Sequence, residues 1–110
     1  MGMIESFEQM LANGQDNALL RFGLGNAYLQ AGNSRRAIEH LRAAVRHDPA
    51  YSAAWKILGK ALTQADQIED AVKAYEEGIR VAQGKGDIQA AKEMKVFLKR
   101  LRQISLHRVP

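Results

Sequence analysis

Few side chains in this sequence have the types and spacing that chemistry at a site would need. His40 and His47 lie seven residues apart and His107 lies near the carboxyl terminus, with no His-Glu-x-x-His motif or cluster of metal ligands beside them. The pair Glu69-Asp70 could do acid–base chemistry only with a pocket and a further partner. We interpret it as the acidic first turn of a helix, where it suits the helix dipole. The sequence therefore predicts no catalytic residue, no metal and no cofactor.

The segment Gly23-Leu24-Gly25 contains the G-x-G pattern of some nucleotide-binding loops. Such a loop joins a strand to a helix, so that free backbone N–H groups face the phosphate. Here the segment lies inside a predicted helix rather than after a strand. We therefore expect Gly25 to allow close approach of a paired helix and not to bind phosphate.

The basic residues are concentrated near the carboxyl terminus. The net charge is +4, and residues 86–110 contain six basic and two acidic side chains. A basic helix face could bind RNA phosphates or an anionic membrane surface. No exposed aromatic residue is interleaved for base stacking, so nucleic acid is disfavoured, and a solvated helix face is the simpler interpretation. The basic surface consists of Lys92, Lys95, Lys99, Arg100 and Arg102.

The composition is that of one globular domain. The chain has 110 residues, of which 46% are apolar and 25% charged, and this supports one modest core. There is no cysteine, which excludes disulfide and thiolate chemistry. No apolar run approaches the ~20 residues that span a bilayer, and residues 1–10 lack the basic residues of a secretory signal. We expect a cytoplasmic protein without a transmembrane segment.

Two stretches that repeat at a spacing of 34 residues must supply the scaffold. The first contains Leu24-Gly25-x-x-Tyr28 and the second contains Leu58-Gly59-x-x-Leu62. Period and residue order resemble the tetratricopeptide repeat. The identical pairs are Leu24/Leu58, Gly25/Gly59, Ala27/Ala61, Gln30/Gln64, Ala31/Ala65, Ala37/Ala71 and Arg46/Arg80.

The resemblance implies an all-α, right-handed superhelix, because each helix-turn-helix unit must stack on a neighbour to bury its apolar face. The sequence predicts one domain, two full repeats with a helix on either side, and a disordered tail. The predicted bounds are 3–103 for the domain, 3–12 for a half-repeat helix, 18–51 and 52–85 for the repeats, 87–103 for a capping helix and 104–110 for the tail.

Three positions near the predicted turns concern how helices begin and end. Asp66 stands where the family has a turn glycine, and a left-handed conformation costs more for a residue with a side chain. Gln83 replaces the family's terminal proline, so we expect that helix to continue to Gly84-Lys85-Gly86. In the first repeat we expect Ser34 to cap the second helix.

The resemblance also implies a partner site. In this family the first helix of each repeat lines the concave face, and its inward but unburied positions recur three or four residues apart. The groove would be apolar to neutral on one side and cationic on the other, and would suit a peptide with an apolar anchor and an acidic end. The implied function is a non-enzymatic protein-interaction scaffold whose partner the sequence does not identify. The groove residues are Leu19, Phe22, Asn26, Gln30, Lys56, Lys60 and Gln64, with Ala53 beside them.

The sequence gives weaker grounds for two other binding partners, a chaperone's carboxyl terminus and a second copy of the chain. Some family members grip a chaperone's carboxyl terminus, but only Asn26 matches that clamp, because Phe22 and Ile57 replace the residues it needs. Self-association is the second possibility, since a symmetric dimer could cover an apolar face left open at the amino terminus. The residues suited to that contact are Met1, Met3 and Met10, so the chain is expected to be a monomer or a weak homodimer.

Overall fold

The computed structural model describes residues 2–108, and all regular structure in that range is α-helical. Among these residues, no helix combines the length and apolar character that crossing a bilayer requires. The six helices are α1 (Met3–Ala12), α2 (Ala18–Gln30), α3 (Ser34–His47), α4 (Ser52–Gln64), α5 (Ile68–Lys85) and α6 (Ile88–Arg108).

The helices stack in chain order as two hairpins with one helix on either side. Helix α2 packs against α3 and α4 packs against α5, and short turns join the members of each pair. Helix α1 packs on α2 at one end of the array, and α6 packs on α5 at the other. The predicted fold class, two helix-turn-helix repeats with a helix before and a capping helix after, is therefore confirmed.

The array curves with α2, α4 and α6 on its inside. The backbone of α4 approaches those of α2 and α6. Within residues 2–108, the backbones of α3 and α5 do not approach one another. Because the first helices of successive units converge while the second helices diverge, α2, α4 and α6 together form the concave face.

The repeated glycine lets the two helices of each unit approach closely. A Cβ atom built on Gly25 would overlap the side chain of Leu41, and one built on Gly59 would overlap the ring of Tyr75. Leu41 is fully buried and Tyr75 nearly so. The expectation that these glycines serve packing rather than phosphate binding is consistent with this position inside α2 and α4.

Side chains and turns set the helix ends. The Asn17 side chain accepts a hydrogen bond from the Leu20 N–H at 2.9 Å and caps α2. Helix α3 is capped by Asn33, which accepts from the Arg36 N–H at 3.1 Å. The prediction that Ser34 caps α3 was wrong, because Asn33 keeps a non-helical backbone while Ser34 is already the first helical residue.

The turn after α4 and the end of α5 use left-handed residues. Asp66 has a φ of 62°, which is the costly conformation that the sequence indicated at this position. Helix α5 continues past Gln83 and ends at Lys85. Gly86 follows with a φ of 75°, where the absence of a Cβ atom makes this conformation accessible.

Helix α6 continues to Arg108, where the sequence analysis expected a disordered tail from residue 104. Ile104 extends the apolar spacing of Phe97 and Leu101 by another turn, so the same side of α6 stays apolar beyond the predicted end. No glycine or proline interrupts the helix before Pro110. Val109 and Pro110 lie outside the described residues.

Candidate functional site

The concave face is the candidate site, and α2 contributes its apolar side. Leu19 points outward with 72% of its surface exposed. Phe22 is half-buried, because its ring packs on the ring of Tyr51 with centroids 5.0 Å apart. Asn26 is partly exposed and Gln30 is exposed. The predicted groove residues of α2 therefore present one free leucine, one partly covered aromatic ring and two amides.

A tyrosine that the sequence analysis did not assign to the groove forms part of this wall. Tyr51 precedes α4 and lies between the two inner helices of the repeats. Burial and the nearby charge of Asp48 raise the pKa of the Tyr51 phenol, so it stays neutral at physiological pH. Its ring extends the apolar area that Phe22 begins.

The middle of the concave face holds a cation that is already paired. Lys56 Nζ on α4 lies 3.2 Å from Oε2 of Glu93 on α6. The hydrogen bond and charge of Lys56 lower the pKa of the Glu93 carboxyl, which therefore remains ionised. One of the two groove lysines predicted from the sequence is thus neutralised by the capping helix.

The carboxyl-terminal end of the concave face holds an open depression of about 310 Å³, which we call the C-terminal pocket. Lys60 Nζ stands above the Phe97 ring at 5.2 Å from its centroid. The Thr63 hydroxyl lines the pocket but donates to the Gly59 carbonyl at 2.7 Å. The other lining side chains include Gln64, Phe97, Arg100, Leu101 and Ile104, with Tyr75 behind them.

Tyr75 forms the inner end of this pocket and is almost entirely buried. Burial raises the pKa of Tyr75 to about 12. The phenol is therefore neutral across the physiological range. The pocket offers a ligand neutral aromatic and aliphatic surface, with positive charge confined to its rim.

Sequence reasoning identified Lys60 and Gln64 but missed the pocket they border. The missing part came from α6, where Phe97, Leu101 and Ile104 share one side of the helix. Their spacing of i, i+4 and i+7 was a sufficient signal that the helix and its apolar face extend beyond Gln103.

Four of the five basic residues of α6 recur at i, i+3, i+7 and i+10 and therefore share one side of the helix: Lys92, Lys95, Lys99 and Arg102. Arg102 binds Glu76 of α5 at 2.9 Å, and Arg100 lines the C-terminal pocket on the other side of the helix. The remaining three are exposed along the outward side of α6, at a spacing of i, i+3 and i+7. We call them the lysine strip: Lys92, Lys95 and Lys99.

A polar network in the amino-terminal half joins α1, α2 and α3. Arg21 donates to both oxygens of Asp16, at 2.8 and 3.0 Å, and its Nη1 lies 3.1 Å from Nδ1 of His40. Asp16 also lies 3.0 Å from His47 Nε2. These bonds and charges hold the pKa of the Asp16 carboxyl far below its usual range. The network fixes the loop before α2 to the end of α3.

His40 is the buried member of this network, with 6% of its surface exposed. Its ring stacks on Tyr28 at a centroid distance of 5.5 Å, and burial lowers the pKa of the imidazole. Glu8 Oε1 lies 3.3 Å from Nε2 but outside hydrogen-bond geometry, so that contact is electrostatic. Because arginine can only donate, Nδ1 is the acceptor and Nε2 carries the proton. This arrangement positions helices and has no adjacent nucleophile.

Among residues 2–108, no three His, Asp or Glu side chains are grouped closely enough to hold a metal ion. The histidines of the network are occupied by Arg21 and by carboxylates.

Comparison with known proteins decides the family. The sequence profile of the tetratricopeptide repeat family matches residues 22–88, which is more than half of the chain. This chain belongs to the tetratricopeptide repeat family. The matched region runs from the groove side of α2 through both hairpins to the start of α6.

Relatives of this tetratricopeptide repeat protein match nearly its whole length. A TPR repeat-containing protein of Pseudomonas aeruginosa is 57% identical over 99 residues, covering 90% of this chain and 94% of the relative. The solution structure of a Bordetella parapertussis protein is 44% identical, with a TM-score of 0.84 over 98% of this chain and 94% of that one. The Sgt2 TPR domain of Aspergillus fumigatus is 29% identical, with a TM-score of 0.80. The match covers 97% of this chain and 72% of that domain's chain.

The family assignment supports a role in binding other proteins. Tetratricopeptide repeats are generally non-enzymatic scaffolds, because stacked units present an extended curved surface rather than a closed catalytic cleft. The fold of this chain is consistent with such a protein–protein interaction scaffold.

Proposed function

We propose that this tetratricopeptide repeat protein binds a peptide segment of a protein partner along its concave face. The observation that supports the proposal is the convergence of α2, α4 and α6, whose expected groove residues are apolar, amide and cationic. Leu19 and Phe22 supply apolar contacts at the amino-terminal end. Lys60 and the C-terminal pocket supply a cation and a depression at the other end.

The side chains between these ends suit a peptide backbone. Asn26, Gln30 and Gln64 carry amide groups that can both donate and accept hydrogen bonds. Within residues 2–108, these three side chains make no hydrogen bond to the protein itself. An extended segment or a helix laid along the face could therefore pair its polar groups while its apolar side chains meet the two ends.

The proposal is tested by selecting peptides from a displayed random library on the intact protein and mapping the selected peptides by NMR. The expected result is that amide shifts change along α2, α4 and α6. A Phe22→Ala/Lys60→Glu variant should bind the same peptides at least about tenfold more weakly. The control is Lys73→Glu, which reverses one exposed charge on the outer helix α5.

Two results would contradict the proposal. One is the absence of any enriched peptide, and the other is binding that maps to the outer helices α3 and α5.

A pull-down from a lysate of the source organism, with and without nuclease, then separates a protein partner from nucleic acid. Material lost on nuclease treatment and unaffected by the groove variant would place the function on the lysine strip instead.

Self-association is a second candidate that one observation favours. A shift of 34 residues aligns Met3 and Met10 with Ala37 and Ala44, which are fully buried under the preceding helix. In α1 the same side is open, with Met3 65% exposed and Met10 37% exposed. Met1 lies outside the described residues. Sedimentation analysis of the protein and a Met3→Ser/Met10→Ser variant tests this, since only the unmodified protein should show concentration-dependent dimerisation.

A further inference from the structure

Two depressions beside α6 combine apolar lining with charged rims, and they differ in charge balance. The larger, of about 590 Å³, lies between α5 and the outer side of α6. Its rim carries Glu69 and Glu76 together with Lys73 and Arg102, and Arg102 binds Glu76 at 2.9 Å. The acids and bases there balance one another, so this depression has no preference for a charged ligand.

The C-terminal pocket has only one sign of charge at its rim. Its lining contains Lys60 and Arg100 and no aspartate or glutamate. Within residues 2–108, no ion pair joins either cation to a carboxylate, whereas Lys56 and Arg102 nearby are both paired. Lys60 has a weaker electrostatic interaction with Glu93, whose pKa it helps to lower. Positive charge at the edge of an apolar depression attracts a ligand that combines an apolar group with negative charge.

We propose that the C-terminal pocket holds one large apolar side chain of an acidic peptide, with Lys60 and Arg100 binding the carboxylates that flank it. The inference rests on the proposed function, because the pocket is one end of the same concave face. It adds where on that face the partner is anchored and what chemistry the anchor has.

The two cations come from the two helices that line the pocket. Lys60 projects from α4, and its ammonium group stands 5.2 Å from the Phe97 ring centroid. This cation–π contact holds the charge over the apolar surface instead of leaving it free in solvent. Arg100 lines the pocket from α6, one turn after Phe97. A bound side chain would therefore lie beside two cations.

The size and openness of the pocket suit a side chain of a larger partner. Its volume of about 310 Å³ is near the lower end of small-molecule sites, and it opens to solvent along the groove. A phenylalanine or leucine side chain can rest on Phe97, Leu101 and Ile104 while its backbone continues along α4. Lys56, in the middle of the face, is already paired with Glu93 and would therefore attract a carboxylate of the peptide less strongly.

Three short synthetic peptides test the inference. The first has a single phenylalanine between glutamates, the second has serine in place of phenylalanine, and the third has glutamines in place of the glutamates. Affinity is measured by fluorescence anisotropy, and the site is mapped by NMR amide shifts. The first peptide should bind, with shifts confined to residues 60–64 and 97–104. Each of the other two should bind about tenfold more weakly.

Matched variants separate this pocket from general basic attraction. Lys60→Glu/Arg100→Glu should weaken the first peptide by about tenfold or more, and Lys60→Gln/Arg100→Gln should weaken it less, without reversing charge. Lys92→Glu/Lys99→Glu makes the same charge change on the lysine strip and should leave affinity within about twofold. Thermal unfolding of each variant checks that the fold is retained.

Four outcomes would overturn the inference. If the first peptide shifts only Leu19, Phe22 and Asn26, or if the lysine-strip variant weakens it equally, the anchor lies elsewhere. If none of the three peptides binds while library-selected peptides bind the concave face, the acidic anchor is wrong and the proposed function stands. If no peptide of either kind binds, both fail.

Discussion

Lys56 Nζ and Glu93 Oε2 lie 3.2 Å apart and join α4 to α6 across the concave face. The pair lies between the apolar end of the face at Phe22 and the C-terminal pocket. It links the capping helix to α4 beside that pocket, and it removes one free cation from the middle of the groove. The charged end of the candidate site therefore depends on Lys60 and Arg100.

The Lys56–Glu93 pair predicts a pH-dependent difference in stability between the protein and a Glu93→Gln variant. The pKa of Glu93 is lowered by Lys56, so the carboxylate stabilises the fold above the unfolded-state pKa and this contribution is lost as the pH falls through the folded-state pKa. The variant should be slightly less stable near neutral pH and equal to the protein in acid. Urea unfolding from neutral to acidic pH measures the difference in free energy of unfolding between the two proteins. A difference that persists in acid would contradict its assignment to this ion pair.

Gly59→Ala should destabilise the protein by about 1–3 kcal/mol, because the added Cβ atom would overlap the buried ring of Tyr75. Urea unfolding measures the loss. A double-mutant cycle with Tyr75→Leu provides the control, since a smaller side chain leaves room for the alanine. Gly59→Ala should therefore cost less in the Tyr75→Leu background, and equal costs in both backgrounds would show that the overlap is not the cause.

Gly84 and Gly86 should respond to alanine in opposite directions although they are two residues apart. Gly84 lies in the last turn of α5 with open space around it, so Gly84→Ala should stabilise by about 0.5–1 kcal/mol through helix propensity. Gly86 has a φ of 75°, and Gly86→Ala should destabilise by about 1 kcal/mol. Thermal and urea unfolding of both variants measure this. Effects of the same sign would contradict the helix end at Lys85.

His40 should make the fold less stable as the pH falls through the range where a free histidine titrates. Burial lowers the pKa of His40 from its usual 6.5. The unfolded chain therefore binds the proton first, and stability decreases as the pH falls below about 6.5. Urea unfolding between about pH 8 and pH 5.5 measures this in a His47→Gln/His107→Gln background, where His40 is the remaining histidine. A free energy of unfolding that does not change over this pH range would contradict a lowered pKa of His40.

The same ring gives a spectroscopic prediction. Arg21 donates to Nδ1 of His40, so the neutral ring should carry its proton on Nε2. Nitrogen-15 NMR of the histidine side chains distinguishes the two tautomers. Arg21→Gln keeps a possible donor and should preserve the Nε2-protonated form, whereas Arg21→Leu removes it and should allow the other tautomer to appear.

The sequence by itself determined the fold class, because the information that specifies a repeat is local. The spacing of 34 residues, the glycines at Gly25 and Gly59 and the apolar stripes each constrain short segments of chain. Helical periodicity then fixes which side of a helix is buried. The same local rules misjudged single positions, such as the cap at Ser34, because neighbouring residues can serve one helix end almost equally well.

Only the tertiary structure decided what the concave face offers a partner. The seven predicted groove residues lie on α2 and α4, but Glu93, Phe97 and Arg100 reach the same face from α6. The position of α6 is set by packing of Met94, which any Cβ atom on Gly78 would meet. Such contacts join residues far apart in the chain, and no spacing within one helix encodes them. The sequence therefore determined which helices form, and packing determined which of their charges remain free.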